Sequence, residues 1–185
     1  MKKTILATLA ALSTTAAMAQ TSVTIGGAVA DSDVNGQQTH RTSIGVRTTL
    51  GTGVTGDIAV INSRNDVTRS TSVRQEAGVG VTAFNTGRLS LGVRGAVGVK
   101  SVSGQDRVEY YSLEPGANFK LTSDLTARVA YRFRDAFSDS GDRSDTMRYG
   151  LSYAVTKKDT IGVIYDVVRK DGAEKTYNFS YTRSF

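Results

Sequence analysis

Among its 185 residues the chain has no cysteine, a single proline and a single histidine. Without thiols there are neither disulfides nor thiolate metal sites, so stability has to come from hydrogen bonding and burial. One proline leaves nearly every residue free to join a ladder, and 19 glycines supply the turns. Long apolar runs are missing as well. The longest, Ile5 to Leu12, is well short of the roughly 20 residues a spanning helix needs. Charge of one sign is also scarce: 23 basic residues stand against 17 acidic ones, and they are scattered. Setting Lys2 and Lys3 aside reduces the formal +6 to +4. No basic stripe or polybasic tail is present, which argues against a nucleic-acid partner.

What is present is a period of two. Apolar side chains recur at alternate positions over most of the chain, which makes strands the expected element throughout. Ten can be delimited. The first runs from about Val23 to Asp31, the second from Arg41 to Leu50, and the third starts at Val54 after a Gly51, Thr52, Gly53 turn. The fourth runs from Val73 to Phe84 with Val79, Val81 and Ala83 on its apolar face, and the fifth carries Leu89, Leu91, Val93, Val97 and Val99. Tyr111 to Phe119, Leu125 to Phe133, Met147 to Val155 and Ile161 to Val167 supply four more, and the C-terminal segment the tenth. Mean hydropathy is only -0.22, as expected where polar residues on one face cancel apolar residues on the other.

The two ends carry targeting patterns. Lys2 and Lys3, the apolar stretch, and Ala17, Met18, Ala19 form the charged, apolar and small-x-small regions of a secretory signal, so residues 1–19 are expected to be cleaved and 20–185 to form one domain. At the other end Tyr177, Phe179, Tyr181 and Phe185 alternate with small polar residues, interrupted only by Arg183. This nonapeptide resembles the C-terminal signature of bacterial outer-membrane β-barrels of the porin and opacity-type superfamily; Arg183 stands where that signature has an apolar residue. The resemblance implies that the barrel-assembly machinery reads Phe185. It also implies residence in the outer membrane of a Gram-negative cell, in contact with lipid and lipopolysaccharide.

The expected fold is therefore all-β: a closed antiparallel transmembrane barrel of ten strands, each roughly 9–11 residues long, with both termini periplasmic. Short turns at Gly51, Asn85, Leu121 and Thr156 would face the periplasm. Longer connections, Asp31 to His40, Ser63 to Ser72 and Asp135 to Thr146, would face outward, while Lys170 to Ala173 makes a short outer loop. A soluble β-sandwich is the competing fold, but it leaves the terminal aromatics without a role.

Parity sends Arg41, Arg47, Arg74, Arg88, Arg94, Lys100, Lys120, Arg128, Arg132, Arg134 and Arg148 inward, against Asp57, Glu76, Glu114 and Asp166. Arg88 and Lys120 fall at the lower rim. Arg41, Arg74, Lys100 and Arg134 fall near the top, where water is expected to solvate them. At mid-height, reflection about the turns sets Arg47 opposite Asp57, Glu114 beside Arg132 with Arg94 on the neighbouring strand, and Asp166 diagonal to Arg148. Such a layer would plug the lumen, because breaking a buried pair strands a charge at about 3–5 kcal/mol. The inward glycines Gly26, Gly45, Gly78, Gly80, Gly92, Gly98, Gly116 and Gly150 either make room for arginines or widen a pore.

Two roles follow: a structural or surface-interaction barrel with an unidentified outer ligand, or a narrow passive pore preferring anions. A lipid-modifying enzyme is a distant third. His40, Ser43, Asp31 and Asp33 can be drawn as a catalytic set, but nothing supplies an oxyanion donor or an acyl groove. The acidic run Asp135, Asp139, Asp142 and Asp145 lacks the glycine and glutamate of a calcium loop and is expected to be a solvated loop. No cofactor and no metal are expected.

Overall fold

The computed structural model describes residues 20–32, 38–138, 142–170 and 172–185. The proposed signal segment 1–19, Asp33 and Asp139 lie outside the described residues, as does residue 171 of the last outer connection. Ten strands follow one another: β1 (Thr21–Ser32), β2 (Gln38–Gly51), β3 (Val54–Asn65), β4 (Thr71–Asn85), β5 (Leu89–Val102), β6 (Val108–Lys120), β7 (Leu125–Ala136), β8 (Ser144–Ala154), β9 (Asp159–Lys170) and β10 (Gly172–Ser184). Each pairs antiparallel with its neighbours, and β10 returns to β1 to close the barrel. The closing seam sets Val23 opposite Arg183, Ile25 opposite Tyr181 and Val29 opposite Tyr177. Closure leaves no strand edge with unpaired amides.

The strands are longer than a bare membrane crossing requires. They run from 11 residues in β8 to 15 in β4, where 9–11 was expected. The extra residues lie mostly beyond the apolar segments, because polar side chains alternate there too and the ladder continues without an apolar face. The outer connections shorten accordingly, to 66–70, 103–107 and 137–143.

The barrel is inside-out. Every strand holds at least one large apolar residue on its outer surface, exposed to whatever surrounds the barrel: Ile25, Ile44, Val60, Val79, Val97, Leu113, Val129, Tyr149, Val163 and Phe179, in strand order. Glu76, Ser112, Glu114, Thr146, Asp166 and Thr176 are buried instead. A water-soluble fold would invert this distribution, whereas lipid rewards it. Aromatics meet on the outer face: the Tyr111 ring lies 6.0 and 5.4 Å from those of Phe133 and Phe137, and Tyr165 lies 5.0 Å from Tyr177. The ladder register shifts at two places among the described residues, between Thr49 and Gly51 beside the first turn and between Thr82 and Phe84. A bulge between Thr82 and Phe84 brings Phe84, not Ala83, opposite Leu91, and Phe84 is exposed there.

Both ends of the described chain and the four short turns lie at one end of the barrel, here termed the turn end. Gly53 and Gly87 take φ of 75° and 80°, which L residues adopt only with strain, and so permit two of these turns. In the other two, Thr122 Oγ1 accepts from the Leu125 amide at 3.0 Å and Thr156 Oγ1 from the Asp159 amide at 3.0 Å.

Candidate functional site

At mid-height the inner wall organises its charges into two clusters. The first is centred on Glu76 of β4 and Asp57 of β3. Arg94, on β5, grips Asp57 with Nε to Oδ1 at 2.9 Å and Nη2 to Oδ2 at 2.5 Å, while its Nη1 donates to Glu76 Oε1 at 2.7 Å. Arg132 from β7 donates to Glu76 Oε2, and Tyr110 from β6 donates to the same oxygen at 2.9 Å. Glycines make these reaches possible. Asp57, Gly78 and Ala96 form one row across β3, β4 and β5, and a Cβ on Gly78 would lie 2.6 Å from Arg94 Nη2. Arg94 therefore crosses β4 through the space Gly78 leaves. Likewise Gly98 lies between Glu76 and Tyr110 in the ladder, and the phenol passes over it.

The second cluster is centred on Glu114 of β6. Arg128 Nη2 donates to Glu114 Oε1 at 2.6 Å and Arg148 Nη1 to Oε2 at 2.8 Å. Arg148 also forks onto Asp166 of β9, Nε to Oδ1 at 3.0 Å and Nη2 to Oδ2 at 2.9 Å, and Asn178 adds a bond to Asp166 Oδ2 at 3.2 Å. These planar, two-pronged contacts hold geometry as well as charge. Each cluster pairs two carboxylates with two guanidinium groups.

Of three expected pairings two need correction, and the third, Arg47 opposite Asp57, holds in register. Glu114 is held by Arg128 and Arg148, not sandwiched by Arg94 and Arg132. Arg94 does face Glu114 across the β5–β6 ladder, but Gly78 opens the opposite direction and two carboxylates wait there. Arg148 reaches Glu114 across β7 because the ladder residue opposite it is only Ala130. Arg148 and Asp166 are directly opposite, not diagonal. Arg47 does stand opposite Asp57 in the ladder, yet its nearest approach is 3.9 Å and its side chain is 55% exposed at the turn end. Asp57 spends its hydrogen bonds on Arg94.

The upper lumen also differs from expectation. Arg134 is buried, not solvated, and shares Asp142 with Lys100 at 3.2 and 3.0 Å. Asp142 itself, expected in a solvated loop, is 5% exposed and points into the barrel. Arg41 is held by Glu174 and by Thr176 Oγ1 at 3.2 Å. Tyr110, Glu174 and Asn178 have no site role in the sequence reading, and Asp142 has none beyond its acidic loop. For Tyr110 a signal existed: a large inward residue at the level of a glycine on the next strand. Asp142 gave none, since loop residues carry no parity.

Above the clusters, and beside Arg132, Arg148 and Asp166, a cavity of about 730 Å³ opens from the loop end and runs down the wall formed by β10, β1 and β2, where Thr24, Gly26, Ala28, Ser43 and Ser180 keep the lining small. His40 and Ser43 are on opposite faces of β2. Ser43 lines the cavity, while His40 is half exposed and bound to Asp66 at 2.9 Å. The four aromatics of the C-terminal segment, Tyr177, Phe179, Tyr181 and Phe185, are all exposed on the outer face. Arg183, which breaks their pattern, lies 3.5 Å from Asp159 on β9, and Tyr181 donates to the same carboxylate at 2.5 Å.

No family model matches the chain and no curated protein matches it. Solved structures do. A NanC porin matches with a TM-score of 0.53 at 14% identity, over 87% of this chain and 98% of that one. An outer membrane channel from Pseudomonas putida gives 0.55 at 9%, over 90% and 95%. The β domain of the Bordetella autotransporter BrkA gives 0.53 at 12%, over 90% and 99%. The shared feature is architecture: this chain has the closed antiparallel fold of the bacterial outer-membrane barrels.

Proposed function

We propose that the protein is an integral outer-membrane β-barrel of a Gram-negative bacterium with a structural or surface-interaction role, its lumen closed at mid-height by the two arginine–carboxylate clusters. In this proposal the turn end and both termini face the periplasm, the outer face meets lipid and lipopolysaccharide, and the barrel-assembly machinery reads Phe185. The observation that carries the closed lumen is burial: Glu76, Glu114 and Asp166 are 8%, 5% and 6% exposed. Carboxylates bordering a wide water-filled channel would be wet. Proteoliposomes containing the refolded barrel test this in a swelling assay, where monosaccharides and amino acids are expected to enter no faster than into protein-free vesicles. Rapid swelling would refute closure.

The cavity beside β10, β1 and β2 favours a second reading, a narrow pore with an anion preference. Two of the structural neighbours are a porin and a channel, which fits either reading of the lumen.

A further inference from the structure

The balance of charge changes with height. In the two mid-height clusters Asp57, Glu76, Glu114 and Asp166 match Arg94, Arg132, Arg128 and Arg148 one for one. The cavity above borders three cluster members, Arg132, Arg148 and Asp166, which are paired within the clusters; its remaining charged lining sets Arg41, Arg74, Lys100 and Arg134 against Asp142 and Glu174. Among the described residues the vestibule therefore carries two positive charges without counterions. Arg74 is the clearest case. It lines the cavity, forms no ion pair with any described residue, and its buried Nε has no hydrogen-bond partner.

Tyr110 brings the cations together. Its ring has the Arg134 guanidinium 5.3 Å from the centroid and that of Arg74 at 6.0 Å. Packing against an aromatic holds a guanidinium in place and leaves N–H edges free to donate. The phenol hydroxyl is anchored on Glu76, so the platform is fixed from below. One oxyanion already occupies this cluster: the Asp142 carboxylate lies between Lys100 and Arg134.

We propose that the vestibule binds a dissolved oxyanion, a carboxylate or phosphate group, on Arg74, with Arg134 and Lys100 alongside and the Asp142 carboxylate as the built-in competitor. A cavity of this volume is large enough for a small organic acid. Its mouth is at the loop end, so the ligand comes from solution on that side. The site stands whether or not the clusters beneath it close the lumen.

Inorganic phosphate, titrated calorimetrically into the full barrel folded in a nonionic detergent free of phospholipid and lipopolysaccharide, tests the site with a dissolved anion as the only source. At low ionic strength the wild type is expected to bind phosphate, with Arg74→Gln at least tenfold weaker and Asp142→Asn several-fold tighter. Tightening on loss of an acid separates a competitor from a merely structural residue. No binding in either wild type or Asp142→Asn, or equal binding in Arg74→Gln, would overturn the proposal. Should Arg74→Gln fail to give a heat-modifiable folded band, Asp142→Asn decides alone, and an affinity no tighter than wild type refutes the site.

Discussion

Tyr110 on β6 donates to Glu76 on β4 by passing over Gly98 on the strand between them, and a side chain at position 98 would meet it. A Cβ there lies 2.5 Å from the Tyr110 ring and hydroxyl and 2.6 Å from the Gln75 carbonyl oxygen. The carbonyl is backbone and cannot step aside cheaply, so Gly98→Ala is expected to cost about 1–3 kcal/mol, the usual range for overpacking. Gly95→Ala, with nothing within 4 Å, is the matched control. Urea unfolding of the refolded barrels compares them; equal midpoints for Gly98→Ala and wild type would contradict the packing account.

Removing only the Tyr110 hydroxyl asks a narrower question. Tyr110→Phe keeps the ring against Arg74 and Arg134 and leaves Glu76 with its two guanidinium partners. The expected loss is about 1 kcal/mol, that of one hydrogen bond, or somewhat more because the acceptor is ionised. A loss near zero in the same unfolding assay would show that the phenol does not anchor the carboxylate.

Much of this was legible in the sequence. Ten strands, their parity and the position of every turn-end connection follow from a period of two punctuated by glycines and Asx or Thr turns. The Arg47–Asp57 register follows from the tight turn at Gly51 to Gly53. Partner choice was less legible. Arginine is long enough to pass its ladder neighbour, so Arg94 binds Asp57 two strands away although Glu114 stands opposite it. Register fixes backbones; the small residues Gly78, Gly98 and Ala130 decide where the side chains go. Neither the bulge between Thr82 and Phe84 nor the inward turn of Asp142 has a periodic signature.

Topology can be read by labelling. Cysteines at Leu91 or Val163, both exposed on the outer face, are expected to react only with lipid-soluble probes. A cysteine at Ser138, itself exposed just after β7, is expected to react with impermeant reagents on whole cells. Labelling at 138 only after the outer membrane is opened would invert the proposed orientation.

Assembly can be separated from export. Phe185 makes a ladder bond from its amide to the Thr21 carbonyl at 2.9 Å, and its ring is 67% exposed, so little packing is lost with it. Deleting it is expected to leave export intact and to reduce the heat-modifiable barrel in the outer membrane several-fold, while refolding in detergent is nearly unchanged. Normal amounts in cells would refute the signal role.

Single-channel conductance in planar bilayers, wild type against Glu114→Ala, tests closure of the lumen most directly. Glu114 holds Arg128 and Arg148 together, and like charges about 4 Å apart repel by about 4 kcal/mol at an effective dielectric near 20. Arg148 keeps Asp166, so Arg128 is the group expected to swing away and admit water. The account predicts a nearly silent wild type and a conducting Glu114→Ala that favours chloride over potassium. Steady anion-selective conductance in the wild type, unchanged by the substitution, would contradict it.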